Sequence, residues 1–156
     1  MDNDEWQTPP EVITYIEKHF GTIETDCAAT ALNAVCDNFI DEKMDFLNAS
    51  RIKPGLGFLH PPSSNSKPFI DSAIGLTRSG NHIITLLNMD TSTKGFKLIY
   101  DNACEVMPIV GGRLALLDSN GKPHKDNHKA QMLVYFRPNL KNHPSWHPIR
   151  IEDIYC

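Results

Sequence analysis

Hydrophobic positions near the start of the chain recur every three or four residues, as on one face of a helix. Four residues share that face: Val12, Ile13, Ile16 and Phe20. Thr8-Pro9-Pro10-Glu11 comes before them and is typical of a helix start, where the threonine hydroxyl accepts from a backbone amide and the glutamate returns the bond. The sequence therefore predicts an amphipathic helix that is capped by Thr8 and ended by Gly21.

Short apolar runs follow and predict strands at residues 23–27, 56–60, 82–87, 106–110, 113–117 and 132–136. Helices are predicted between them at residues 33–39, 68–78 and 92–102, the last capped by Ser92 with Phe96 and Ile99 facing inward. Asn120-Gly121 marks a tight turn. Strands that alternate with helices and then pair antiparallel indicate an α/β fold with a mostly parallel sheet and an antiparallel C-terminal hairpin.

The 156 residues suit one domain, 1–156, with its core at about 4–138 and a looser tail at 139–156 that regains structure at 149–154. No apolar stretch reaches the roughly 20 residues of a membrane span, and the acidic start lacks the features of a signal peptide. We therefore expect a cytoplasmic protein. The net charge of −4 argues mildly against strong nonspecific DNA binding. The basic residues of the last third form either a local phosphate-binding face or an ordinary solvated surface.

Cysteines and histidines give no metal pattern. The four cysteines form no C-x-x-C pair, which favours free thiols in a reducing cytosol. Four histidines recur at a spacing of four, but glycine and proline residues break any helix that would align them: His124, His128, His143 and His147. We therefore expect no metal site.

Five short motifs occur in order along the chain. They are Trp6-Gln7-Thr8-Pro9-Pro10, Asp26-Cys27-Ala28-Ala29 with Asn33-Ala34-Val35-Cys36, a strand that ends in Pro61-Pro62, Asp90-Thr91-Ser92-Thr93-Lys94-Gly95-Phe96, and Gly112-Arg113-Leu114. Together they resemble the phage-encoded DNA N-6-adenine methyltransferase (Dam-type) family over residues 4–138. The resemblance implies a Rossmann-like methyltransferase fold, S-adenosylmethionine as cofactor and double-stranded DNA as partner.

The resemblance also implies a cofactor site made of Trp6, Gln7, Thr8, Pro9, Asp26, Ala28, Asp45 and His60. Thr8 at a helix start suits the cofactor's carboxylate, although a plain cap explains it equally well. Asp26 ends the first strand, at the edge where open α/β sheets bind ligands, and suits the ammonium group. The alternative is a solvent-exposed turn aspartate. Asp45 could contact the ribose or adenine, or lie on the surface.

The tetrapeptide His60-Pro61-Pro62-Ser63 takes the place of the family's catalytic motif, which has Asn or Asp, Pro-Pro and an aromatic residue. An acceptor side chain and a proline carbonyl would orient the adenine amine, and the aromatic ring would stack on the flipped base. A neutral imidazole accepts one hydrogen bond, but serine cannot stack, which forfeits roughly 1–3 kcal/mol. Asn88-Met89 also departs from the family, which has a proline there. A plain strand end and turn is the other interpretation of the tetrapeptide.

Two functions stay open on this basis. The first is a DNA adenine N6-methyltransferase whose catalytic residues are His60, Pro61, Pro62 and Ser63. The second is a catalytically degenerate relative that binds cofactor, DNA or a host protein and modulates methylation or restriction. A different substrate for the same cofactor is a third hypothesis. Because a chain of this length has little room for a separate target-recognition region, a homodimer partner is one way to supply it.

Overall fold

The computed structural model describes residues 6–30, 32–41, 45–49, 52–124, 129–138 and 143–155. The helices are α1 (Pro10–Phe20), α2 (Ser66–Arg78), α3 (Lys94–Asn102) and α4 (Ile151–Ile154). The strands are β1 (Ile23–Asp26), β2 (Leu56–Leu59), β3 (His82–Asn88), β4 (Glu105–Val110), β5 (Leu116–Leu117), β6 (Pro123–His124), β7 (Gln131–Phe136), β8 (Ser145–Trp146) and β9 (Ile149–Arg150).

Seven strands form the central sheet, in the order β1-β2-β3-β7-β4-β8, and β9 also pairs with β4. Strands β1, β2 and β3 are parallel, whereas β7 is antiparallel to both of its neighbours, β3 and β4. Strand β4 therefore runs in the same direction as β3. Strands β5 and β6 form a separate antiparallel hairpin. The prediction of an α/β fold with a mostly parallel sheet and an antiparallel hairpin is confirmed.

The sheet buries both of its faces because its central strands are apolar at nearly every position. Alternate residues of β3 and β7 point to opposite sides. Leu87 and Val134 belong to the hydrophobic cluster on one side, which includes residues of α2 and α3. Leu86 and Leu133 belong to the cluster on the other side, with Val12 and Ile16 of α1. Helix α1 therefore covers one face of the sheet, and α2 and α3 cover the other.

Three local predictions are wrong. Helix α1 begins at Pro10 with Pro9 as its N-cap and no side-chain cap, so Thr8 and Glu11 form no capping box. Thr93 rather than Ser92 caps α3, because its hydroxyl accepts from the amide of Phe96 at 3.0 Å while Ser92 bonds to Asp90. The described residues of 33–39 form turns and bends instead of a helix, since this segment pairs with the end of β1.

The remaining predicted elements are present, with shifted ends. Of residues 113–117, only Leu116–Leu117 are in a strand. The Asn-Gly turn is confirmed, with Gly121 at φ 79° between β5 and β6. The tail is more ordered than predicted, because Ser145–Trp146 pairs with β4. Residues 139–142 and His128 lie outside the described residues. In the part of the chain that the structure describes, no helix is long and apolar enough to cross a membrane.

We expect Gly55→Ala to destabilise the fold by about 1–2 kcal/mol. Gly55, just before β2, has φ +113°, and an added Cβ would lie 2.6 Å from Cγ of Glu24. Gly75→Ala is the matched control. Gly75 is exposed within α2, a Cβ there meets no atom within 4 Å, and the change should stabilise by about 0.5–1 kcal/mol. Urea unfolding of both variants measures the difference, and equal effects of the two would contradict the assigned backbone conformation.

Candidate active site

A cleft opens where the first two parallel strands end. Asp26 is the last residue of β1 and His60 directly follows β2, so both lie at the carboxyl edge of the sheet, where open α/β folds bind ligands. The chain segment before α1 forms the opposite wall. The cleft is open to solvent and contains about 280 Å³ of space, the opening included. It is lined by Trp6, Gln7, Thr8, Asp26, Ala28, Asn33, Val35, Phe58 and His60.

Six of the residues singled out from the sequence line this cleft: Trp6, Gln7, Thr8, Asp26, Ala28 and His60. Pro9 is buried directly beside them as the N-cap of α1. Three further lining residues were not predicted as site residues from the sequence: Asn33, Val35 and Phe58. The Asn33-Ala34-Val35-Cys36 motif contains the first two and could have pointed to them. Phe58 shares a face of β2 with His60, as the two-residue period of a strand requires.

Asp45 does not line the cleft. Its side chain caps the short 3-10 helix Phe46–Asn48, accepting from the amide of Leu47 at 3.1 Å and from the side-chain amide of Asn48. Its backbone φ of 54° is positive, a conformation that aspartate tolerates better than most residues. The capping role explains why an aspartate suits position 45, and a cofactor role for Asp45 stays a prediction.

Asp26 is a buried carboxylate held by backbone amides. One oxygen accepts from Ala28 N at 3.3 Å and the other from Val35 N at 3.1 Å, and only 4% of the residue is exposed. Desolvation raises the pKa of Asp26 to about 6, although the two backbone bonds act to lower it. The loop after β1 is fixed around it, because Asp26 N donates to Asn38 O and Ile40 N donates to Asp26 O.

Asp26 lacks a cationic partner among the described residues, since none of their salt bridges involves it. A buried carboxylate of this kind favours a ligand that brings a positive charge. The small side chain of Ala28 leaves space next to it. These features fit the ammonium group of an amino acid such as the methionine part of S-adenosylmethionine. Because the cleft is open to solvent, part of such a ligand would lie outside it.

His60 is tied to the opposite wall. Its Nδ1 lies 2.8 Å from the hydroxyl of Thr8, which joins the end of β2 to the segment before α1. Desolvation lowers the pKa of His60 to about 4, so the imidazole is neutral near pH 7. A neutral imidazole has one N–H and one acceptor nitrogen. If Nδ1 carries the hydrogen and donates to Thr8, the free acceptor is Nε2.

The rest of the tetrapeptide leads into α2. Pro61 is buried, and Ser63 is exposed at the start of the 3-10 helix Ser63–Asn65. The aromatic residue nearest in sequence, Phe69, stacks on Phe46 with ring centroids 6.1 Å apart and packs against the core under α2. Phe69 is therefore packed in the fold against Phe46.

We expect Thr8→Val to release the imidazole of His60 and to cost about 1 kcal/mol of stability, because valine matches threonine in shape but has no hydroxyl. Thr8→Ser keeps the hydroxyl and serves as the control. Nitrogen-15 NMR of the His60 ring shows which nitrogen carries the hydrogen. A single tautomer with hydrogen on Nδ1 is expected in the wild type and Thr8→Ser, and a mixture in Thr8→Val. Identical ring spectra in all three proteins would rule out the contact.

The topology and the cleft first define a class: a Rossmann-like α/β domain whose ligand site lies at the carboxyl edge of its parallel strands. Comparison with known families is more specific, because the model of the DNA N-6-adenine-methyltransferase (Dam) family matches residues 1–151. The chain belongs to this family.

Two phage proteins are similar over most of the chain. The DNA N-6-adenine-methyltransferase of Haemophilus phage HP1 (strain HP1c1) is 34% identical over 140 residues, which cover 88% of this chain and 80% of the relative. The DNA N-6-adenine-methyltransferase of Escherichia phage T1 is 32% identical over 149 residues, which cover 86% of this chain and 63% of the relative. The chain thus spans less than two thirds of the length of the second relative.

Proposed function

We propose that this chain binds S-adenosylmethionine in the cleft and transfers its methyl group to the N6 amine of adenine in double-stranded DNA. The observation that carries the proposal is that one cleft joins a buried carboxylate, Asp26, to a neutral imidazole, His60. The first suits the cofactor's ammonium group and the second suits the target amine. Membership in the Dam family supplies the reaction class.

On the cofactor side, Asp26 would hold the ammonium group and Ala28 would allow close approach. Trp6 and Gln7 would form the wall, with Pro9 buried beside it. Thr8 would act on both sides. With the hydrogen of His60 on Nδ1, the Thr8 oxygen would accept from the ring, and the Thr8 hydroxyl hydrogen would be free to donate to the cofactor's carboxylate. Bound S-adenosylmethionine supplies an electrophilic methyl group on a sulfonium. The remaining roles belong to the residues that orient the amine.

On the base side, Nε2 of His60 would accept one N–H of the adenine amine and the carbonyl of Pro61 the other. Both bonds turn the nitrogen lone pair away from the ring and toward the methyl group. With a pKa of about 4, His60 accepts this bond at neutral pH without taking up the proton. The proton that leaves the methylated nitrogen passes to water.

A second candidate function is favoured by the state of two side chains: Ser63 is exposed, and the ring of Phe69 stacks on Phe46. A base placed in this pocket would lack the stacking partner that the family uses, which costs roughly 1–3 kcal/mol. The chain would then be a degenerate methyltransferase that binds cofactor, DNA or a host protein without turnover.

The proposal extends to partners and location. Double-stranded DNA is the proposed substrate, the host-cell cytoplasm the proposed location and a homodimer the proposed assembly. The dimer would supply a second surface for contact with the DNA. Sedimentation of the chain alone and with a short duplex would show whether the assembly contains two copies.

Calorimetry with S-adenosylmethionine and incubation with tritium-labelled cofactor and unmethylated duplex DNA together test the function. Binding and N6-methyladenine are both expected. Binding without methyladenine at high enzyme concentration would favour the degenerate protein. The absence of cofactor binding would contradict the methyltransferase, because every step depends on it.

A further inference from the structure

The hairpin β5–β6 is hydrogen-bonded to the segment that forms one wall of the cleft. Gln7 N donates to Leu117 O at 2.7 Å and Leu117 N donates to Gln7 O at 3.0 Å, so residue 7 pairs with β5 like a short extra strand. Trp6 and Gln7 both line the cleft. The chain that forms one wall is thus held by a hairpin more than 100 residues further along, which follows Gly112-Arg113-Leu114.

His124, the last residue of β6, holds the indole of Trp6. The two rings meet edge to face, with centroids 4.8 Å apart and an interplanar angle of 89°. This arrangement is favoured for aromatic pairs because the positive edge of one ring points at the negative face of the other. The contact with His124 therefore helps to orient Trp6 at the cleft.

Asp118, which follows β5, fixes His124 in turn. One of its oxygens accepts from Nε2 of His124 at 2.9 Å. The other accepts from the backbone amides of Asn120 at 2.9 Å and Lys122 at 3.0 Å, which closes the Asn-Gly turn. Only 9% of Asp118 is exposed. The hydrogen bond from His124 is also the main cause that lowers the pKa of this carboxyl.

These contacts form one continuous chain from the turn to the cleft: carboxylate, imidazole, indole. Each step is direct, and the two backbone bonds between Gln7 and Leu117 run beside it. A binding wall that is already in place costs less ordering when the ligand arrives, and this raises affinity.

We propose that Asp118 and His124 are positioning residues for the cofactor, which fix the indole of Trp6 against the part of S-adenosylmethionine that lies along this wall. The inference rests on the proposed function of the cleft. It assigns a role to the hairpin that neither the family match nor the chemistry of His60 requires. The Gly112-Arg113-Leu114 segment leads into β5 and would therefore connect this hairpin to the sheet.

The test uses the fluorescence of Trp6. The chain has two tryptophans, and Trp146 is exposed, so Trp146→Phe leaves Trp6 as the only one. In this background, titration with the unreactive product S-adenosylhomocysteine should change the emission and give a dissociation constant. His124→Phe keeps a ring against Trp6 but loses the bond to Asp118, whereas His124→Ala loses both. Lys122→Ala is the matched control, because Lys122 takes part in the turn through its backbone N–H and C=O, which the substitution keeps.

We expect His124→Ala to weaken binding of S-adenosylhomocysteine roughly two- to tenfold, as loss of an aromatic pair would. His124→Phe and Asp118→Asn should weaken it less, and Lys122→Ala should leave it unchanged. In turnover assays the KM for the cofactor should rise while kcat stays near the parent value.

Two contrary outcomes are distinguishable. If the parent protein binds S-adenosylhomocysteine and all hairpin variants bind it equally well, the positioning role is wrong and the proposed function stands. A fall in melting temperature without a change in the dissociation constant has the same meaning. If the parent binds no S-adenosylhomocysteine by fluorescence or calorimetry, the proposed function fails first.

Discussion

Asp26→Asn is expected to weaken S-adenosylmethionine binding about a hundredfold or more. The variant keeps the size of the side chain but removes the charge, and loss of one partner of a buried ion pair costs about 3–5 kcal/mol. Calorimetry at pH 7.5 measures the effect. Glu24→Gln is a suitable control, since Glu24 lies on the same strand but forms only a surface pair with Lys53. Equal affinities of the wild type and Asp26→Asn would show that the carboxylate does not hold the cofactor.

The raised pKa of Asp26 adds a dependence on pH. With a pKa of about 6 before the cofactor binds, the carboxyl must lose a proton to pair with the ammonium group. Affinity should therefore be constant above pH 7 and fall as the pH drops below 6. Asp26→Asn should lack this slope.

Asp26 also affects stability, and the sign follows from the direction of the shift. Because the folded pKa is raised above the unfolded value, the stabilising contribution is complete below about pH 4 and is lost as the pH rises through 6. Between pH 5 and pH 7.5 the wild type should lose about 1–2 kcal/mol relative to Asp26→Asn. His60 acts in the opposite sense because its pKa is lowered. The His60 contribution is the same in both proteins, so it cancels when their free energies of unfolding are compared at each pH. A difference that does not change with pH would contradict the raised pKa of Asp26.

The mostly parallel sheet could be predicted from the sequence because strand ends are visible in it, whereas the strand order, with β7 between β3 and β4, could not. The apolar run before Pro61-Pro62 and the run that ends at Asp26 each predict a parallel strand, and the ends of parallel strands meet at one edge. The positions of Asp26 and His60 at those ends follow from this pattern, whereas their roles are implied by the family resemblance and stay predictions.

Contacts between distant segments could not be predicted in the same way. Thr8 fits a helix cap by every local rule, yet its hydroxyl bonds to His60, 52 residues away. Asp45 fits a cofactor ligand by resemblance, yet it caps a turn of its own segment. The pairing of Gln7 with Leu117 joins residues 110 positions apart and has no signal in either stretch. The contacts of Thr8 and Gln7 depend on packing, which a pattern of single residues does not record. The cap formed by Asp45 is local instead.

Ser63→Tyr is expected to raise methyl transfer to adenine roughly ten- to hundredfold, because it supplies the ring that stacks on the flipped base. Ser63 is exposed at the start of a 3-10 helix, so a larger side chain has room. The gain should appear in kcat/KM for DNA, measured with labelled cofactor, while cofactor affinity stays the same. Asn65→Tyr, an exposed position in the same turn whose side chain caps no helix, is the control.

Variants of His60 distinguish the two candidate functions. If Nε2 of His60 orients the amine, His60→Ala should reduce turnover about a hundredfold, since loss of an acceptor also misplaces the base. His60→Asn with Ser63→Tyr rebuilds the family's tetrapeptide, and its rate should exceed that of the wild type. A wild type without turnover and an active double variant would identify a degenerate site in a fold that still binds cofactor. Turnover that is unchanged by His60→Ala would contradict the role of the imidazole, because Pro61 would then suffice to hold the base.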